Sequence, residues 1–207
     1  MQALAPVRGL VVAALLALAA AAAAQEKSTQ PPAMSPEEQA AMQKMIEYAT
    51  PGEPHKLLAA RAGTYDTKVT MWMAPGAPPV VTEGTSKYEV VMDGRYVQDT
   101  HTATFQGMPF SGQGLCGYDN MKKKYFSTWI DNMGTGLMMS EGTYDAATKT
   151  YTFEGENPDP MTGKMEKMKS VEKVTNPDAW TVEMFKPTPD GKGWWKTMEL
   201  TYTRQKK

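Results

Sequence analysis

The sequence predicts a mainly β chain, an up-and-down antiparallel β-barrel of about ten strands preceded by one or two helices. Three observations predict it. Apolar residues recur with period two from Thr64 to the C-terminus, the signature of strands lying over a core. Turn-forming clusters separate these runs at fairly even intervals. Helical periodicity is confined to the residues before Thr64, so helices precede the strands and none falls between them.

The chain has 207 residues and opens on Met1–Arg8, with one positive charge and no acid. An apolar, alanine-rich stretch follows and ends in Ala22-Ala23-Ala24 before Gln25. That is the small-x-small pattern of a cleaved leader, and the stretch is short of the roughly 20 strongly apolar residues a membrane span needs. Residues 1–24 therefore read as a signal peptide, which predicts a periplasmic or secreted protein with no stable membrane insertion. Residues 25–52 read as a polar tether with a capped helix, and residues 53–207 as one barrel domain.

The 22 basic and 23 acidic residues give a net charge of −1, and loss of Arg8 with the leader leaves −2. No basic patch suits nucleic acid or an anionic membrane, since Lys122-Lys123-Lys124 reads as a solvated turn. Cys116 is the only cysteine, so no internal disulfide supports the fold. It lies in an apolar strand and reads as a small buried hydrophobe.

Ser35-Pro36-Glu37-Glu38 opens the first helix: Ser35 caps the free amides, Pro36 suits the first position and Glu38 completes a capping box. Met42, Met45, Ile46 and Ala49 form an apolar stripe, and Thr50-Pro51-Gly52 ends the helix. A shorter helix is expected from Pro54 to Ala62, with Leu57 and Leu58 toward the core and Gly63 at its end. In the strands, Tyr65, Thr67, Val69 and Met71 alternate with polar residues. So do Tyr88, Val90 and Met92, Tyr151 and Phe153, Trp180, Val182 and Met184, and finally Trp194, Met198, Leu200 and Tyr202. Asp93-Gly94 is a two-residue hairpin signal, and turns at Gln106-Gly107, Asp119-Asn120 and Asp190-Gly191 are among those that follow. Short loops make successive strands antiparallel, and closure removes the edges of so even a meander. A sandwich is the competing architecture. Gly63-Thr64-Tyr65 resembles the Gly-x-Trp opening of lipocalin barrels, and Arg204 would stack on Tyr65 if the barrel closes.

The motifs also resemble a known family. His55-Lys56-Leu57-Leu58 through Gly63-Thr64-Tyr65, Met71-Trp72-Met73-Ala74-Pro75-Gly76 and Asp93-Gly94-Arg95-Tyr96 carry the likeness. It continues in Gly114-Leu115-Cys116-Gly117-Tyr118-Asp119-Asn120, Ser127-Thr128-Trp129-Ile130-Asp131, Glu141-Gly142-Thr143-Tyr144-Asp145 and Lys196-Thr197-Met198-Glu199. Together they resemble the bacterial family called domain of unknown function 1579, from about Pro51 onward. The resemblance implies an exported lipocalin-like β-barrel and carries no established activity.

Candidate site residues come from the inward stripe and from polar residues in the middle strands. Tyr88, Trp129, Trp180 and Trp194 are expected to line a cavity, while Arg95, Asp99, His101 and Asp131 supply polar groups. Arg95, Val97, Asp99, His101, Ala103 and Phe105 share one face of a strand; Tyr96, Gln98 and Thr100 share the other. The apolar members argue that the first face is buried, and the rarity of buried charge favours the second. If Asp99 and His101 both enter, they can shift each other's titration and mark a site.

No catalytic motif is present: there is no His-Glu-x-x-His, Gly-x-Ser-x-Gly, Cys-x-x-Cys or phosphate-cradling loop. With only His55 and His101, no multi-histidine metal site can form. A haem held axially by His101 is the lesser alternative to a barrel without a cofactor. The leading expectation is a barrel that holds a small, largely apolar molecule. The alternatives are an enzyme using Asp99, His101 or Asp131, and a structural envelope protein with a filled barrel.

Overall fold

The computed structural model describes residues 34–159 and 162–206, so the expected signal peptide 1–24 and the expected tether up to residue 33 lie outside the described residues. The described residues divide into two units, with the boundary between Gln43 and Lys44. In the first, the Ser35 amide donates to Glu38 Oε2 at 2.7 Å and the Glu38 amide to Ser35 Oγ at 3.3 Å, the expected capping box. They open helix α1, Pro36–Ala49, whose last turn belongs to the second unit. There Asn120 Nδ2 reaches the carbonyls of Tyr48 and Thr50, each at 2.9 Å, supplying a donor to carbonyls left free at the helix end. The expected apolar stripe is not covered: Met42, Met45 and Ile46 are exposed.

Helix α2, Glu53–Ala59, buries Leu58 and His55 but leaves Leu57 exposed, correcting the expectation that both leucines face the core. Ten strands follow: β1 Gly63–Met71, β2 Val80–Val91, β3 Tyr96–Phe105, β4 Met108–Asp119, β5 Lys124–Asp131, β6 Met138–Asp145, β7 Thr150–Asp159, β8 Lys164–Asn176, β9 Ala179–Pro187 and β10 Trp194–Arg204. Each pairs antiparallel with its sequence neighbour, and β1 pairs with β10, so the sheet is a closed up-and-down barrel. The barrel was expected; a sandwich is excluded. Among the described residues no helix is long and apolar enough to cross a membrane.

Turn chemistry follows the sequence at Gln106-Gly107 and departs from it at Asp93-Gly94. Gln106 and Gly107 both take positive φ in a two-residue hairpin. The Asp93-Gly94 connection is longer than expected: strand pairing stops at Val91 and Tyr96, and Met92, Asp93 and Gly94 all have positive φ.

The seam between β1 and β10 is pinned by Arg204. Its Cζ lies 4.6 Å from the Tyr65 ring centroid, its Nη1 donates to Ala62 O at 2.7 Å and its Nε to Asp178 at 2.8 Å. The stacking that depended on closure is therefore present.

Candidate functional site

Cross-strand register decides which side chains enter the barrel, because paired residues share a face. Near α2 the inward side chains are aromatic. Tyr65, Tyr88, Trp180 and Tyr202 meet edge-on or stacked, with Trp180 and Tyr202 centroids 4.7 Å apart. Tyr125, Tyr151 and Phe153 continue the layer. Tyr88 and Trp180 thus form a packed floor and do not line open space.

Above that floor the burial changes. Phe110, Trp129, Met168, Val182, Met184, Met198 and Leu200 all sit on inward register positions, yet each stays partly exposed. In a closed barrel an inward side chain meets solvent through the lumen. The half opposite α2 is therefore open, as expected for a ten-strand barrel too wide for side chains to fill. A separate recess of about 630 Å³ is lined by Lys124, Glu141, Thr143, Thr152 and Glu154 among others, and by none of Asp99, His101, Trp129 or Asp131.

Polar groups gather where floor and lumen meet. Asp99 pairs across the sheet with Tyr88 and Gly114, and His101 with Ser86 and Gly112. Both point inward, at 8% and 4% exposure, so the outward alternative is wrong and Tyr96, Gln98 and Thr100 take the outer face. The apolar neighbours outweigh the cost of burial because Ser86 Oγ lies 2.9 Å from His101 Nδ1, and Tyr88 and Ser86 hydrogen-bond the Asp99 carboxylate. Asp99 Oδ1 nevertheless lacks a partner. Burial pushes the Asp99 carboxyl up to about 7, against the opposing hydrogen bonds, and burial lowers the His101 imidazole. Cys116, inward on β4, is pushed up to about 11 by burial.

Trp129 and Asp131 stand nearer the open end. Gly112 and Gly114 leave the surface on which the Trp129 indole lies, and its Nε1 donates to Asp131 Oδ2 at 2.9 Å. Asp131 Oδ1 accepts from the Met133 amide, so this carboxylate also fixes the turn. A Cβ on Gly112 would fall 2.2 Å from Trp129 Cζ2. Gly112→Ala is therefore expected to shift the tryptophan emission and lower stability by about 1–2 kcal/mol, the range for overpacking. Unchanged emission would place the indole elsewhere.

Two candidates fall outside the interior. Arg95 sits in the β2–β3 turn, where its Nη1 donates to Met92 O at 3.2 Å. Trp194 is 40% exposed and faces outward against Lys169. A bulge between Lys196 and Met198 inserts one residue and reverses the alternation, so Trp195 occupies the inward position instead.

Sequence reasoning missed Arg61 and Glu172. Arg61 follows α2, is 8% exposed and lies 4.5 Å over the Tyr151 ring, with Trp180 at 5.6 Å. Its Nη1 donates to Glu172 Oε2 at 2.7 Å. Burial opposes its charge, but Glu172 outweighs that with help from Tyr151, Cys116 and Tyr88, and raises the guanidinium above its ordinary value. The available signals were an arginine in the apolar run Leu57–Ala62 and an acid on the inward stripe of β8.

A family model described as "Protein of unknown function (DUF1579)" matches residues 50–204. No curated protein matches the chain. Among solved structures, the S-type phycobiliprotein lyase CPES from Guillardia theta is 10% identical with a TM-score of 0.56, covering 79% of this chain and 97% of that one. At that identity the likeness is one of fold. A redesigned β barrel is 14% identical with a TM-score of 0.37, covering 72% and 96%.

Proposed function

The chain belongs to the DUF1579 family of proteins of unknown function, and from that premise we propose that it is an exported binding protein which holds a small, largely apolar molecule in its barrel. One observation carries the reading: Met168, Val182, Met184, Met198 and Leu200 face inward yet remain partly exposed. An apolar wall with a few convergent polar groups is the usual make-up of a small-molecule site. Methionine suits it further, since the thioether adapts to varied shapes. Asp99, His101 and Ser86 supply polar contacts at the inner end. Export rests on residues 1–24, whose charged start, apolar middle and alanine cleavage pattern direct secretion.

The test is titration of the purified mature protein with the neutral dye N-phenyl-1-naphthylamine, alongside native mass spectrometry of protein from its own cells. Dye emission should rise on binding, and Leu200→Trp, which fills the lumen, should weaken binding at least about 10-fold, as one lost apolar contact surface allows. Dye binding that survives Leu200→Trp would place the site elsewhere. No binding of dye or native ligand would favour a structural envelope protein.

A further inference from the structure

The buried arginine at the floor has a free edge. Glu172 occupies Nη1, while Nε and Nη2 have no hydrogen-bond partner and are fully buried. Nε and Nη2 form the side of the guanidinium whose two N–H bonds run parallel, the fork that matches a carboxylate with two hydrogen bonds. Donors buried without a partner cost free energy, so the fold has reason to keep them only if something accepts from them. The indole Nε1 of Trp180, beside Arg61, is a further buried donor without a partner.

We propose that the molecule held in the barrel is a monocarboxylate with an apolar body, the packed floor yielding to seat its carboxylate on the Nε/Nη2 edge of Arg61 while its body extends along the half-exposed lumen. This rests on the binding reading above and names the ligand class. The charges allow it. Glu172 is already engaged with Nη1, and Asp99, the other floor acid, is predominantly protonated below about pH 7 because it is buried. One guanidinium thus serves two carboxylates through different edges, as a planar group with five donors permits.

The experiment displaces N-phenyl-1-naphthylamine at pH 6 with dodecanoate, dodecanol and methyl dodecanoate. These three share a chain and differ at the head. Wild-type protein should bind dodecanoate about 30-fold more tightly than dodecanol, the worth of hydrogen bonds to a charged group. Arg61→Met should abolish that preference while retaining dodecanol affinity. Arg61→Lys keeps the charge but loses the fork, and should keep less than about a third of the preference. Equal wild-type affinity for the three heads would overturn the proposal while leaving the binding reading intact. So would a preference that persists in Arg61→Met. If neither the dye nor any of the three binds, the binding reading falls and this proposal with it. The wild-type comparison decides the matter even if a variant fails to fold.

Discussion

Asp99→Asn should make the protein more stable above pH 7 and remove the loss of stability that this carboxyl causes as pH rises. Asp99 is buried on the inner face of β3, where Tyr88 and Ser86 contact its carboxylate and Oδ1 has no partner. Its folded-state value is raised from 3.8 to about 7, chiefly by burial. Between those values the folded chain holds a proton that the unfolded chain has released. Stability therefore falls as pH rises through that window and stays reduced above it. At one unit for each 1.36 kcal/mol, the full effect is on the order of 4 kcal/mol. Asparagine carries no charge to bury and can still accept from Ser86 and Tyr88. Denaturant unfolding at pH 5 and pH 8 is the measurement. Wild type should lose about 2–3 kcal/mol between them from this group, and Asp99→Asn should lose none of it. Parallel pH profiles for the two proteins would show that Asp99 is ionised in the fold at both.

Gly63→Ala is expected to open the barrel seam. Gly63 has φ +147°, a conformation L side chains rarely adopt, and a Cβ there would lie 2.0 Å from Arg204 Nη1. The methyl would expel the guanidinium that stacks on Tyr65 and bonds Ala62 and Asp178. Backbone strain and the lost contacts together should cost about 3–4 kcal/mol. A double-mutant cycle separates the two causes. In an Arg204→Met background the alanine should cost only about 1–2 kcal/mol, the strain alone, because its charged neighbour is gone. Strictly additive losses would mean that Gly63 and Arg204 act independently.

Much of the fold was legible because alternation and turn chemistry are local. The stripes of β1, β7 and β9 carry apolar residues on one face and polar residues on the other, so their inward side follows from period two. The capping box at Ser35 and Glu38 is likewise written within four residues.

The site was less legible. In β3, apolar and charged residues share a face, and local pattern weighs them against each other without a decision. Register settles it, since pairing with Tyr88 on β2 and with Gly114 on β4 carries Asp99 inside. In β10 a single bulged residue exchanges Trp194 for Trp195, and no strict alternation can anticipate an insertion in the ladder.

What the sequence by itself determined is the set of described elements: two helices before the strands, ten strands with mostly short turns, and the cap at Ser35. Only the tertiary structure decided which polar groups share the interior. Arg61 and Glu172 stand 111 residues apart and meet because closure brings β8 over the segment that leads into β1. Chain-local forces set periodicity and turns, whereas a buried ion pair with a free guanidinium edge depends on distant strands converging on one lumen.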